Sequence, residues 1–118
     1  MKIITIGDIH GEKSWSKHLD KNYLISNFDK IVFIGDYVDS FYLKDHEIYE
    51  TLLEIIEFKK TYPDNIVLLF GNHDIQYLLG TKGNGCTGYR PSMWLQLNEL
   101  FTQNRNLFQL AFQVKNYL

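Results

Sequence analysis

With a single cysteine, Cys86, in 118 residues, the chain can form no intrachain disulfide and no cysteine-based zinc site. Long apolar runs are also lacking. The longest, Ile66 to Phe70, falls far short of the ~20 residues that a membrane-spanning helix needs. The apolar start from Met1 to Ile6 is too short for a secretory leader before Asp8 interrupts it, so the expected location is cytoplasmic. Neither sign of charge dominates, with 12 Lys and Arg against 14 Asp and Glu. Residues 1–80 hold 13 acidic and 8 basic side chains and residues 81–118 hold 1 and 4, but no run of like charge is long enough to act as a tail. A dedicated nucleic-acid surface is therefore not expected, since such surfaces neutralise many backbone phosphates. The balance still leaves room for an enzyme that meets one or two phosphates. Internal repeats and low-complexity segments are absent as well, and at 45% hydrophobic residues the chain is long enough for one modest core.

Three short runs rich in Ile, Val, Leu and Phe do stand out: Lys2 to Ile6, Lys30 to Ile34, and Ile66 to Phe70. Continuous apolar runs of this length suit strands of a parallel sheet. Between the second and third, Ile48, Leu52, Ile55 and Ile56 recur at helical spacing, which predicts a crossover helix from Asp45 as N-cap to Tyr62, stopped by Pro63. A shorter helix is expected from about Ser14 to Leu24, completing β-α-β-α-β with right-handed crossovers. A glycine-rich loop of 9 residues follows, from Gly80 to Gly88, and Pro91 then opens a helix running to about Asn104 with Leu97, Leu100 and Phe101 inward. Leu110, Phe112 and Val114 alternate as in a strand, Lys115-Asn116 forms a turn, and Tyr117-Leu118 begins a return strand. From a stop two residues into a strand, the expectation is that the sequence is the N-terminal part of a larger domain.

Each of the three apolar runs ends in glycine and then presents polar ligands: Gly-Asp-Ile-His at 7–10, Gly-Asp-Tyr-Val-Asp at 35–39, and Gly-Asn-His-Asp at 71–74. The carboxyl ends of parallel strands share one edge, where ligands bind. Asp8, His10, Asp36, Asp39, Asn72, His73 and Asp74 are thus expected to converge. Their carboxylates and imidazoles would repel or desolvate one another unless a cation sat among them. Mixed carboxylate, imidazole and amide donors suit Mn²⁺, Fe, Zn²⁺ or Ni²⁺ better than a soft thiolate site does, and Mn²⁺ is the metal expected here. Asp36, central in the order, is placed to bridge two metals roughly 3.5–4 Å apart, the arrangement that activates water for attack on phosphorus. The bland reading, that turns simply favour Gly, Asp and Asn, does not account for three coordinated occurrences with histidine.

Asp-x-His, Gly-Asp-x-x-Asp and Gly-Asn-His-Asp, in that order on successive strands, resemble the calcineurin-like metallophosphoesterases. The motifs are separated by 28 residues from Asp8 to Asp36 and 36 from Asp36 to Asn72, and the resemblance covers residues 2–74 firmly. It implies an α/β/β/α sandwich, of which this chain would supply the N-terminal β-α-β-α-β unit, a helix and the start of further strands. It also implies two divalent metal ions. Asp8 and His10 would hold the first, Asp36 would bridge both, and Asn72 would hold the second. A hydroxide between the metals would attack a phosphate mono- or diester without a covalent phosphoenzyme. His73 would act as general acid or clamp the phosphoryl oxygen, oriented by Asp39.

The resemblance has two departures. Phosphoprotein phosphatases carry Arg directly after the second Asp of the middle motif, where this chain has Ser40; Arg90 is the candidate substitute for binding substrate phosphate. The family's later His and its Gly-His-x-His element are also missing, since the histidines are 10, 18, 46 and 73. Full activity is therefore expected to require the C-terminal half. The alternative is a catalytically incompetent fragment acting as a binding or assembly module, with self-association through an exposed sheet edge. A nucleotide-binding α/β domain finds no support, because no glycine-rich phosphate loop follows any strand. His18 and His46 are expected at the surface, Cys86 in an unreactive loop position, and Trp15, Trp94 and Tyr89 in the core or an interface.

Overall fold

A computed structural model describes residues 1–7, 9–13, 15–16, 20–78 and 88–113. Four strands form one parallel sheet in the order β1 (Ile3–Ile6), β2 (Lys30–Phe33), β3 (Ile66–Leu69) and β4 (Phe108–Gln109). The helices are α1 (Lys21–Asn27), α2 (Asp45–Thr61), α3 (Asn72–Leu78) and α4 (Trp94–Gln103), the last preceded by a 3₁₀ turn at Pro91–Met93. The α/β class and the three parallel strands are as the sequence predicts.

Register lines up the inward side chains in rows. Ile4, Ile31 and Ile66 form one, and Ile6, Phe33, Leu68 and Phe108 form the next. The second row lies in the main core, joined by Ile48, Leu52, Ile55 and Ile56 of α2 and by Leu97, Leu100 and Phe101 of α4. Trp15 seals this core edge-on to Phe33 at 5.2 Å and stacked on Phe58 at 5.9 Å. On the opposite face Val32 and Val67 are buried, while Thr5 and Ile3 of the edge strand are exposed.

Helix α2 forms because its apolar residues repeat every three or four positions and its ends suit the helix dipole, with Asp45 and Glu47 in the first turn and Lys59 and Lys60 in the last. Its N-cap is Lys44 rather than Asp45. The Glu47 carboxylate accepts from the Lys44 backbone N–H at 3.0 Å. Asp45 is already helical, and its own carboxylate is engaged by Arg90 and Ser92. At the other end the Lys59 ammonium donates to the Pro63 and Ile66 carbonyls, both at 2.7 Å, closing the turn into β3.

Two expectations need correction and one is only partly covered. Trp15 and Ser16 are helical, as the expected start near Ser14 requires, but Asp20 is extended and caps a separate helix, its carboxylate accepting from Asn22 N–H at 3.1 Å, that runs to Asn27, past Leu24; Ser14 and residues 17–19 lie outside the described residues. The strand expected at 110–114 is instead Phe108–Gln109, which extends the first sheet parallel to β3 rather than opening a second. Phe108 is the reason: it stacks on Phe70 at 4.9 Å and meets Phe101 at 5.4 Å, whereas Leu110 is 76% exposed. A short helix at Asn72–Leu78 also occupies a stretch in which the sequence predicts no element. Gly80, Gly83, Gly85, Cys86, Val114 and the turn and strand at 115–118 lie outside the described residues.

Replacing Phe33, which is fully buried, by alanine is expected to cost about 3–5 kcal/mol in urea unfolding. Leu110→Ser is expected to change stability by no more than about 0.5 kcal/mol. A large loss at Leu110 would restore the strand at 110–114.

Candidate metal centre

The loops leaving β1, β2 and β3 are knit together by backbone hydrogen bonds. His10 N–H donates to the Asp36 carbonyl at 2.8 Å and Gly11 N–H to the Tyr37 carbonyl at 2.6 Å. Thr51 of α2 holds the first loop from behind, its hydroxyl donating to the Gly11 carbonyl at 2.7 Å. Between the second and third loops the backbones come so close that side chains are barred. A Cβ on Gly35 would lie 2.3 Å from Gly71 N, and one on Gly71 would lie 2.2 Å from the Asp36 carboxylate. Both strand-end glycines are needed for this approach.

Asp74 fastens the same two loops. Its carboxylate accepts from Asp36 N–H at 2.7 Å, Tyr37 N–H at 2.9 Å and Gly71 N–H at 2.9 Å, with no exposure to solvent. Burial pushes its carboxyl up to about 7, against the pull of the three N–H groups. Tyr37, also fully buried, donates its hydroxyl to the Leu69 carbonyl at 2.7 Å, and burial first and Asp74 second raise its phenol. The sequence puts Asp74 in the cluster without assigning it a task.

Three non-glycine residues have left-handed backbones among those described: His10 at φ 44°, Asp36 at φ 57° and Asp39 at φ 69°. Such positions cost roughly 1–3 kcal/mol each and persist where the surroundings enforce them. All three belong to the cluster picked from the sequence. His10 Nδ1–H donates to the Val38 carbonyl at 2.8 Å, so the ring carries its lone pair on Nε2. A backbone carbonyl behind Nδ1 is the support that metal-binding histidines commonly have. One Asp36 carboxylate oxygen accepts from His73 N–H at 3.1 Å, which fixes the carboxylate's orientation. His10 and His73 meet edge to face with ring centroids 5.0 Å apart. Asn72 is exposed at the start of α3.

Carboxylate, imidazole and amide donors at this junction fit a divalent cation, and the close approach at Gly71 leaves the Asp36 carboxylate uncovered by any Cβ. Among the described residues no three His, Cys, Asp or Glu side chains are gathered closely enough to hold a metal by themselves. Asp8, assigned by resemblance to the first metal, lies outside the described residues.

Asp39 has a 2% exposure and is surrounded by donors. His73 Nδ1–H reaches its Oδ2 at 2.9 Å, Gln76 donates to the same oxygen, and the Tyr77 hydroxyl donates to Oδ1. Gln76 and Tyr77 escape the sequence reading. The signal that locates them is their spacing of three and four from His73, legible once α3 is known to be a helix. Arg90 sits beside the site: its guanidinium donates to the Ser40 carbonyl at 2.6 Å and to Asp45 at 2.8 Å. His46 is exposed, Trp15 is buried, and Tyr89 stacks on Tyr77 at 5.3 Å, as expected of residues outside the chemistry. His18 and Cys86 lie outside the described residues.

The hydrogen bond from Arg90 comes first among the causes that hold the Asp45 carboxyl below 3.8. A depressed carboxyl contributes stability that is present above its unfolded value and lost as pH falls through the folded one. Arg90→Met is therefore expected to move the Asp45 titration upward toward 3.8, followed by carboxyl carbon NMR. An unmoved Asp45 would show that the ion pair is not formed in solution.

A profile of the calcineurin-like phosphoesterase family matches residues 1–115. The chain is 32% identical over 111 residues to a protein phosphatase 2A catalytic subunit of Dictyostelium discoideum, an alignment covering 84% of this chain and 32% of the relative. It is 38% identical over 73 residues to serine/threonine-protein phosphatase PP1-delta of Caenorhabditis elegans, covering 61% of this chain and 22% of the relative. It is 32% identical over 104 residues to serine/threonine-protein phosphatase 5 of Homo sapiens, covering 85% and 20%. The chain thus spans about a third or less of the length of these relatives. With the three strand-end motifs on one parallel sheet and the family profile matched over nearly the whole sequence, the chain belongs to the calcineurin-like phosphoesterase family of hydrolases.

Proposed function

We propose that this chain carries the N-terminal portion of a dimetal phosphoesterase centre that hydrolyses phosphate mono- or diesters. The observation that carries the reading is the backbone of His10, Asp36 and Asp39: the three strained non-glycine residues among those described are three of the residues picked from the sequence for chemistry. In this reading Asp8 and His10 would hold one cation and Asn72 the second, with Asp36 serving both and Mn²⁺ first among the metals. Two divalent cations would supply positive charge for the phosphoryl oxygens and activate the attacking water. The chain's own residues do the rest. The Asp36 carboxylate is held in one orientation by His73 N–H, and His10 presents Nε2 because the Val38 carbonyl holds its Nδ1 proton. His73, with Asp39 behind its Nδ1, gives a proton from Nε2 to the departing ester oxygen. Arg90 has donors beyond the two bound to Ser40 and Asp45, and contributes one to a phosphoryl oxygen.

No helix among the described residues is long and apolar enough to cross a membrane. The proposal takes the enzyme as cytoplasmic, acting on dissolved phosphate esters. The relatives named above are protein phosphatases, and a phosphoprotein is accordingly the first substrate to try. β1 is an edge strand with Ile3 38% exposed, and self-association through that edge is part of the same proposal.

Metal content per chain after Mn²⁺ loading and dialysis, with hydrolysis of a chromogenic phosphate ester on the same sample, tests the reading. Mn²⁺ binding that is lost in Asp36→Asn, with turnover by this portion alone well below that of a complete domain, is the expected result. Unchanged Mn²⁺ binding in that variant would remove Asp36 from its bridging place, and neither metal nor turnover in the unaltered chain would favour the assembly-module alternative. Sedimentation is expected to show mass rising with concentration; a monomer at every concentration would refute pairing through the β1 edge.

A further inference from the structure

We infer that Gln76 and Tyr77 are positioning residues that act through Asp39 to set the tautomer and direction of the His73 ring. Asp39 is held in a left-handed backbone at φ 69°, away from solvent, with both carboxylate oxygens occupied by groups from a single helix. His73, Gln76 and Tyr77 lie on one face of α3, at spacings of three and four, and all three donate to this one carboxylate. A carboxylate whose oxygens already accept from Gln76 and Tyr77 is oriented to accept from Nδ1–H as well. The His73 proton is thereby kept on Nδ1, and the lone pair or exchangeable proton is kept at Nε2, facing away from Asp39.

Two details argue that the clasp serves His73 rather than packing alone. Gln76 buries its amide with 2% exposure, yet its Oε1 meets no partner among the described residues; burying it is justified by what Nε2 does for Asp39. Tyr77 is fully buried and its hydroxyl has a second task, accepting from Arg90 N–H at 2.9 Å. A continuous line of hydrogen bonds thus runs from the Arg90 backbone through Tyr77 and Asp39 to the His73 ring. The Asn98 amide, donating to the Tyr77 carbonyl at 2.8 Å, anchors the end of α3 to α4 and keeps the clasp in place.

This inference rests on the reading of His73 as the proton donor, but its test needs neither metal nor substrate, so failure of the phosphoesterase reading and failure of the clasp are told apart. Long-range proton–nitrogen NMR on the full chain labelled at histidine reports which nitrogen carries the proton. Unaltered protein is expected to show His73 as the Nδ1–H tautomer. Tyr77→Phe and Gln76→Met each remove one donor at nearly constant shape. Each is expected to lower the ratio of Nδ1–H to Nε2–H by about tenfold, because a carboxylate released from one donor turns away from Nδ1–H. A role confined to stability would lower the unfolding midpoint and leave this ratio unchanged. An Nε2–H tautomer in the unaltered chain, or the same ratio in both variants, would overturn the inference. Should Tyr77→Phe fail to fold, as judged by collapsed amide dispersion, Gln76→Met decides alone.

Discussion

Three backbone N–H groups converge on the Asp74 carboxylate, and the rest of the site depends on that convergence. Two of the donors, Asp36 and Tyr37, belong to the loop after β2; the third, Gly71, precedes α3 on the loop after β3. Without an acceptor between them these N–H groups would be stranded in a region that water does not enter, at a cost of roughly 1–3 kcal/mol each. With it, the two loops close to the distance at which the Gly71 backbone abuts the Asp36 carboxylate, and His73 N–H orients that carboxylate. Holding a buried anion here is itself costly, as the upward push on the Asp74 carboxyl shows. The arrangement is what makes a left-handed Asp36 the stable state.

The same logic, a buried carboxylate surrounded by donors, recurs at Asp39. There the donors come from side chains of α3 rather than from backbone, and one of them is the His73 ring, the proposed proton donor. Asp74 and Asp39 therefore divide the work. One joins the loops after β2 and β3, and the other meets the His73 ring on α3. Both are reached from α3, a helix of 7 residues that holds little apolar surface of its own. Such a short helix is stable only through its packing and its hydrogen bonds to neighbours. Asn98 of α4, bonded to the last turn of α3, supplies one of these from the far side.

Strand-end glycines explain why the sheet can support this density of polar groups. Parallel strands bring three chain reversals to one edge, and side chains on all of them would normally hold the loops apart. Gly35 and Gly71 remove the Cβ atoms at the tightest point, so backbone meets backbone and carboxylate. The core beneath is continuous from Trp15 to Phe108, and it gives the loops a rigid base from which to hold strained conformations.

Much of this was legible in the chain itself. The three strands, the buried face of α2 and the residues of the candidate centre are properties of short runs: an apolar stretch, a glycine, then polar ligands, repeated three times. Such patterns are local, so they survive being read without a structure. The tertiary structure alone decided the rest, because it depended on partners about 37 residues apart. Asp74 and Tyr77 look like an ordinary acid and an ordinary aromatic until Asp36, Tyr37 and Asp39 are brought beside them. The N-cap of α2 fell on Lys44 because Asp45 is claimed by Arg90, 45 positions away. β4 settled at Phe108 because the hole beside Phe70 and Phe101 takes an aromatic ring, a demand set by the sheet and α4 together and invisible in the alternation around Leu110. What sequence determines is which residues are available at each strand end; which of them hold, orient or merely pack is decided by the long-range hydrogen bonds that folding creates.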